Sequence, residues 1–140
     1  MKSTAIFGLF LVLLFVGSFA QADGWTDHCT GQPVPAMIMH YPVDVVPNVL
    51  NGKITATVRK DVRCFKAGDI LEVTDPNGAG NYGKVKVEQV LFTTFNALSA
   101  DIVVRAGVAD MPALQAQLIT AYGQDISTHE LTEIYFSVVH

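Results

Sequence analysis

Polar and apolar residues alternate with the period of a β-strand through residues 52–59. One face of this predicted strand carries Ile54, Ala56 and Val58. The opposite face carries four side chains that can hydrogen-bond a phosphate, a carbonyl or a base edge: Lys53, Thr55, Thr57 and Arg59. The same alternation is typical of any half-buried strand with a solvated face. The pattern alone therefore leaves two interpretations open, a ligand-binding surface and an ordinary solvent-facing one.

Short elements are predicted on both sides of this stretch. Residues 36–41 are an apolar run that predicts a strand, and residues 42–50 predict a short helix. Residues 70–73 and 84–92 predict the two strands of a hairpin. The segment 75–83 between them is rich in Gly and Asn, which supply the positive φ values that hairpin connections need.

The hydrophobic period changes to that of a helix after residue 98. Ser99 is the predicted N-cap of a helix over residues 100–106, and Asp110 is the predicted N-cap of a longer amphipathic helix that ends near residue 122. Residues 133–139 are rich in β-branched and aromatic side chains and predict a closing strand. This order of elements predicts an α+β fold in which short strands curl into a small barrel with helices outside it.

The first 22 residues have the form of a secretory leader. Lys2 precedes a nearly pure apolar run over residues 5–19, and Ala20-Gln21-Ala22 has the small-x-small form of a signal peptidase site. The run is shorter than the roughly 20 residues that a membrane span needs. We therefore expect cleavage after Ala22, export to the periplasm or the medium, and no stable membrane anchor in the mature chain.

Three segments follow from these patterns. Residues 1–22 are the expected signal peptide, and residues 23–35 form an irregular N-terminal arm rich in Gly, Pro, Thr and Asp. Residues 36–140 form the folded domain, a common size for a single hydrophobic core.

The formal net charge of −4 gives no general attraction to nucleic acid. Basic residues nevertheless cluster in one short stretch: Lys53, Arg59, Lys60, Arg63 and Lys66. Such a local patch suits a phosphate or carboxylate ligand, and it also suits a solvated strand and turn. His40, at the end of a predicted strand, is either a further site residue or a structural histidine.

Cys29 and Cys64 are the only cysteines of the chain. In an oxidising compartment we expect them to form a disulfide that closes a loop of about 35 residues and contributes about 3–4 kcal/mol. The alternative is two free buried thiols. His28 and Cys29 are too few to hold a metal, and the segment that begins at His129 lacks the second histidine of a zinc-protease helix. We expect no metal and no cofactor.

Several motifs in sequence order resemble the ASCH domain of the PUA-like superfamily. They are the strand from Gly52 to Arg59, the segment 65–71 (Phe-Lys-Ala-Gly-Asp-Ile-Leu), the hairpin, the Gly-Lys-Val-Lys-Val strand, the two helices and the final strand. The resemblance covers residues 37–139. It implies a small PUA-like β-barrel of short, mostly antiparallel strands with flanking helices. It also implies a nucleotide, a modified nucleoside or single-stranded RNA as the partner.

Some domains similar to this family hydrolyse the amide of N4-acetylcytidine with a Lys, a Thr and a Glu, and others act as ribonucleases. The family motif reads Gly-x-Lys-x-x-x-x-Arg. Gly52 and Arg59 keep this spacing, whereas Ile54 takes the place of the lysine and Lys53 lies one position earlier. The family threonine aligns with Thr57, and the family glutamate aligns near Ala106. For an enzyme, the implied catalytic residues are therefore Lys53 and Thr57.

Three functions remain open on this basis. The first is a binding module that holds a nucleotide, RNA or another small anion through Lys53, Thr55, Thr57 and Arg59, with His40 nearby. The second is a hydrolase, either an N4-acetylcytidine-type amidohydrolase or a ribonuclease. The third is a structural or interaction domain without a retained ligand site.

Overall fold

Five strands and four short helices make up the described part of the chain, residues 25–140 of a computed structural model. The strands are β1 Ile38–His40, β2 Ala56–Lys60, β3 Ile70–Thr74, β4 Gly83–Thr94 and β5 Glu130–Val139. The helices are α1 Trp25–Cys29, α2 Val46–Leu50, α3 Ala100–Arg105 and α4 Met111–Tyr122. Two 3₁₀ turns occupy Phe95–Ala97 and Gln124–Thr128. The expected signal peptide and its cleavage after Ala22 lie outside the described residues.

The strands form one mixed sheet in the order β1-β3-β4-β5-β2. β1 and β3 are parallel, and the other three pairs are antiparallel. The predicted α+β class with mostly antiparallel strands is confirmed. The sheet curls but does not close into a complete barrel, because β1 and β2 are its two ends and do not pair with each other.

The hairpin that the sequence predicts is formed by β3 and β4, and β4 continues into a long pairing with β5. The register of this second pair shifts between Val87 and Gln89, where β4 carries one extra residue. Such a bulge bends a strand and increases its twist. The bend helps β4 to contribute to two separate hydrophobic cores.

The first core lies inside the curl of the sheet and is covered by α2. Its fully buried members include Leu71, Val73, Val85, Val87, Ile134 and Phe136. The second core lies between the sheet and the helices α3 and α4, with Ala56, Val58, Ile102, Leu114, Leu118 and Leu131 among its members. Both faces of β5 are therefore buried from Leu131 to Phe136, and this stretch includes the polar Thr132 and Glu133.

Local signals set the ends of the two longer helices. The Asp110 carboxylate accepts a hydrogen bond from the Ala113 amide at 2.9 Å and so caps α4, as predicted. Gly123 follows α4 with a φ of 96°, a conformation that favours glycine. Ser99 precedes α3 as expected, but its hydroxyl does not cap that helix; it bonds to Glu133 of β5 instead.

The N-terminal arm contains α1 and is held by the predicted disulfide between Cys29 and Cys64. The Trp25 indole donates a hydrogen bond to the Phe65 carbonyl at 2.8 Å, and the Lys66 ammonium lies 5.3 Å from the centre of the indole ring. The disulfide is consistent with export. Within residues 25–140, no helix is long and apolar enough to span a bilayer.

Candidate functional site

A cleft of about 490 Å³ lies between the end of β1, the strand β2 and the helix α4. We call it the Arg59 cleft. Its lining is mostly apolar, with Pro42, Val45, Ile54, Ala56, Val58, Ala106, Gly107, Leu114, Leu118 and Ala121. The polar residues that line it are Tyr41, Asn48, Thr57, Arg59, Gln117 and Tyr122. This size and this mixture of apolar walls with a few polar groups are typical of small-molecule sites.

The edge of β2 brings Thr57 and Arg59 to the cleft. β2 pairs with β5 on one side only, with Thr57 opposite Ile134 and Arg59 opposite Thr132. Residues from both faces of the strand line the cleft, which indicates that the cleft follows the unpaired edge of β2. Ala56 and Val58 belong to the helix-side core, as the alternation predicts, but Thr57 between them is buried as well, so burial does not alternate along β2.

Arg59 is half-buried and is the only charged residue among those of residues 25–140 that line the cleft. One terminal nitrogen of its guanidinium donates a hydrogen bond to the His40 carbonyl at 3.0 Å. The guanidinium carbon lies 5.1 Å from the centre of the Tyr41 ring, a cation–π contact. Arg59 forms no ion pair with any carboxylate of the described residues. Its charge is therefore not balanced by any described residue.

Tyr41 is 8% exposed, and its hydroxyl has no hydrogen-bond partner of regular geometry among the described residues. Burial raises the pKa of Tyr41, while the Arg59 charge and the neighbouring Thr57 side chain partly oppose that rise. A buried hydroxyl without a partner costs free energy. Tyr41 lines the cleft, but its hydroxyl oxygen is enclosed by protein.

The other two polar residues of the predicted strand face do not line the cleft. The Thr55 hydroxyl accepts a hydrogen bond from the Arg105 Nε atom at 2.9 Å, and the Thr55 amide donates to the Arg105 carbonyl at 2.7 Å. Lys53 is exposed in the turn before β2, with its amide bonded to the Asn51 side chain at 3.0 Å. The structure thus brings Thr57 and Arg59 together and separates Thr55 and Lys53 from them. The ligand roles of these four residues remain predictions.

Ile54 lines the cleft at the position where the family motif has its lysine. Gly107, just after α3, has a φ of 76°, and a Cβ atom there would lie 3.2 Å from the Ile54 Cγ1 atom. The lack of a side chain at Gly107 lets the end of α3 approach Ile54 closely. The lining of the cleft is therefore apolar at position 54.

His40 is exposed at the end of β1, where its backbone carbonyl accepts the Arg59 hydrogen bond. Its Nδ1 atom lies 2.9 Å from both the Thr74 hydroxyl and the Asp75 carbonyl. The predicted site residue His40 thus lies beside Arg59 but outside the cleft lining.

The buried carboxylate of the fold lies elsewhere. Glu133 is 1% exposed and accepts hydrogen bonds from the Ser99 amide, the Ser99 hydroxyl and the Tyr135 hydroxyl at 2.9, 2.7 and 2.6 Å. Burial raises the pKa of Tyr135, and its hydrogen bond to Glu133 adds to the rise. The Arg105 guanidinium lies 4.9 Å from the centre of the Tyr135 ring. This group ties α3 to β5 and is structural, because none of its carboxylate oxygens lacks a protein partner.

No carboxylate lines the Arg59 cleft within the part of the chain that the structure describes. The same residues contain no cluster of three His, Cys, Asp or Glu side chains that could hold a metal ion. The cleft can therefore supply a positive charge, hydroxyls and amides, and apolar walls. These groups suit the binding of an anion that carries a ring.

Sequence reasoning missed Tyr41, Tyr122, Asn48 and Gln117 as cleft residues. Tyr41 is the last residue of the predicted strand 36–41 and directly follows β1 as observed, a position from which side chains reach a site at the end of a sheet. Gln117 and Tyr122 lie on the predicted amphipathic helix, and only the packing of that helix beside β2 shows that they face a cleft.

Comparison with known proteins identifies the fold. No protein-family model and no curated protein matches the chain. Among solved structures, the chain is similar to a DUF984 protein from Enterococcus faecalis, with a TM-score of 0.61, 13% identity and 88% of each chain covered. An ASCH domain from Lactobacillus crispatus matches with a TM-score of 0.55 and 13% identity, over 87% of this chain and 92% of that one.

An ASCH protein from Zymomonas mobilis matches with a TM-score of 0.55 and 12% identity, over 71% of this chain and 64% of that one. These similarities show that the chain has the ASCH-domain fold. The resemblance inferred from the sequence and its PUA-like architecture are confirmed at the level of the fold.

Proposed function

We propose that this chain is an exported ASCH-like module that binds a nucleotide, RNA or another small anionic ligand in the Arg59 cleft. The proposal rests on the burial and the missing counter-ion of Arg59. It is half-buried, and no carboxylate of the described residues neutralises it. A partly desolvated guanidinium without a counter-ion favours an anion, which it can bind through two parallel hydrogen bonds.

The remaining cleft residues fit a ring with polar edges. Leu114, Leu118 and Ile54 supply apolar wall, and Asn48 and Gln117 supply side-chain amides that can pair with a base edge or a sugar hydroxyl. Thr57, which also lines the cleft, adds a hydroxyl. This combination supports a nucleoside-like ligand over a simple inorganic ion.

The absence of a lining carboxylate makes binding a better supported function than hydrolysis. An amidohydrolase of the family type needs a general base beside its nucleophile. The cleft offers Thr57 without a Glu, Asp or His among the described residues that line it. We therefore expect the ligand to remain intact after binding.

The test is an equilibrium titration of the oxidised protein with nucleosides, including N4-acetylcytidine, with nucleoside 5′-monophosphates and with short single-stranded RNA. The Arg59→Gln variant is compared with Lys86→Gln, which removes the same charge from an exposed position outside the cleft. We expect Arg59→Gln to weaken binding of the anionic ligands by about tenfold or more, because a charge-assisted hydrogen bond is lost. Lys86→Gln should bind like the wild type.

Analysis of the ligand after the titration separates the remaining functions. Intact ligand with Arg59-dependent affinity supports the binding module. A deacetylated or cleaved ligand would support the hydrolase, and no binding of any ligand would support a structural or interaction domain.

A further inference from the structure

A second cavity of about 250 Å³ opens beside the Arg59 cleft, between the ends of β1 and β2. We call it the annex. Arg59 and Tyr122 line both the cleft and the annex, so the two spaces meet at these side chains. A ligand that contacts Arg59 from the cleft can therefore extend into the annex.

The annex carries more positive charge than the cleft. Two arginines, Arg59 and Arg63, line it beside His40, and no carboxylate does so within residues 25–140. The Nε atom of Arg63 donates to the Lys60 carbonyl at 2.9 Å, which fixes the side chain near its own turn. The terminal nitrogens of Arg63 form no hydrogen bond or ion pair with any described residue. Two guanidinium groups are thus left with free donors around one small cavity.

His40 offers one more polar group at the same place. Its Nδ1 atom lies 2.9 Å from both the Thr74 hydroxyl and the Asp75 carbonyl. The Nε2 atom has no hydrogen-bond partner among the residues that the structure describes. It is therefore the nitrogen that remains to interact with a ligand.

From this arrangement we infer that the annex is a phosphate subsite and that the ligand of the protein is a phosphate ester of a nucleoside. The nucleoside part occupies the Arg59 cleft, and the phosphate lies between Arg59 and Arg63. This inference rests on the proposed function. Paired guanidinium groups match the geometry of phosphate oxygens and bind them bidentately, whereas an uncharged nucleoside would leave the annex charges unbalanced.

The experiment compares the affinity of each nucleoside with that of its 5′-monophosphate and 3′-monophosphate. The wild type, Arg63→Gln and Lys60→Gln are titrated under the same conditions. Lys60→Gln is the matched control, since it removes one charge three residues away and its side chain does not line the annex. Arg63 is exposed, so its replacement should leave the fold intact, which circular dichroism checks.

We expect at least one monophosphate to bind the wild type about tenfold to a hundredfold more tightly than the parent nucleoside, as charge-assisted hydrogen bonds provide. Arg63→Gln should reduce this ratio by about tenfold and leave the nucleoside affinity unchanged. Lys60→Gln should retain the wild-type ratio. A second outcome is that a short RNA binds more tightly than any mononucleotide and that its affinity also falls in Arg63→Gln. That result would show that the phosphate belongs to an RNA strand rather than to a free nucleotide.

Two results would overturn the inference, and they differ in meaning. Equal affinity of the wild type for nucleoside and monophosphate, or a ratio that Arg63→Gln leaves unchanged, would refute the phosphate subsite while the Arg59 cleft remained a binding site. No measurable binding of either compound would refute the proposed function and the subsite together.

Discussion

The guanidinium of Arg59 donates a hydrogen bond across 3.0 Å to the backbone carbonyl of His40. Arg59 lies on β2 and His40 on β1, the two ends of a sheet that does not close by strand pairing. The same side chain lines both the cleft and the annex. A ligand bound to Arg59 would therefore contact a point at which the two ends of the sheet are joined.

A lysine at position 54 should strengthen anion binding. Ile54 lines the cleft, whereas Lys53 is exposed and does not. In Ile54→Lys the long side chain can keep its methylene groups against the apolar wall and place its ammonium in the cleft. We expect the affinity for a nucleoside monophosphate to rise several-fold and to become more sensitive to salt, as measured by titration at two ionic strengths.

The matched variant for that experiment is Lys53→Ile combined with Ile54→Lys, which exchanges the two residues and keeps the net charge. It should bind as tightly as Ile54→Lys alone. If the affinity rises only in Ile54→Lys, which has lysines at both positions 53 and 54, then the overall charge controls affinity rather than the position of the lysine in the cleft.

The Glu133 cluster should contribute strongly to stability. Glu133→Gln keeps the shape of the side chain but places an amide donor against groups that already donate, namely the Ser99 amide and hydroxyl and the Tyr135 hydroxyl. We expect a loss of about 2–4 kcal/mol in the free energy of unfolding. Glu72→Gln, on the exposed side of β3, should change it by less than about 0.5 kcal/mol. Equal effects of the two variants would disprove the structural role of Glu133.

The stability of the protein should fall in strongly alkaline solution. Burial raises the pKa of both Tyr41 and Tyr135 above the ordinary value of 10.0, and the hydrogen bond to Glu133 adds to the rise at Tyr135. The folded protein therefore retains two protons that the unfolded chain loses. Their stabilising contribution is complete below pH 10 and decreases as the pH rises through the folded-state pKa values.

Urea unfolding measured from about pH 8 to about pH 11 tests this dependence. Above pH 10 the free energy of unfolding should decline less steeply in Tyr41→Phe and in Tyr135→Phe than in the wild type. If both variants followed the wild-type curve, the two hydroxyls would not be held protonated by the fold.

Reduction of the disulfide should loosen the N-terminal arm. Cys29 and Cys64 are 35 residues apart in sequence, and the loop-entropy model assigns such a crosslink roughly 3–4 kcal/mol. Trp25 is the only tryptophan, so its fluorescence reports on the hydrogen bond of its indole to the Phe65 carbonyl. We expect a red shift of the emission and a lower melting temperature in Cys29→Ser/Cys64→Ser. Unchanged emission and stability would show that the arm is held without the crosslink.

Features with local causes could be predicted from the sequence. The Asp110 cap and the Gly123 stop of α4 depend on neighbouring residues, and the hairpin depends on its Gly-rich and Asn-rich connection. The alternation that assigned Thr57 and Arg59 to one face is likewise a property of the strand itself.

The placement of Thr55 and Tyr41 could not be predicted in this way. Thr55 is bound by Arg105, fifty residues away, and this contact depends on how α3 packs beside β2. Tyr41 meets Arg59 because the sheet curls until its two ends adjoin, which follows from the pairing of all five strands. The Ser99 hydroxyl donates a hydrogen bond to Glu133, which is distant in sequence. This tertiary contact overrides the local preference of serine to cap a helix.

Binding in the Arg59 cleft can be tested by mapping the amide chemical-shift changes in the ¹H–¹⁵N NMR spectrum during titration with a nucleoside 5′-monophosphate. We expect the largest changes on β2 and on the cleft side of α4, including Thr57, Arg59 and Leu118, and we expect them to disappear in Arg59→Gln. Changes centred on other elements, or equal changes in Arg59→Gln, would show that the ligand does not bind in the Arg59 cleft.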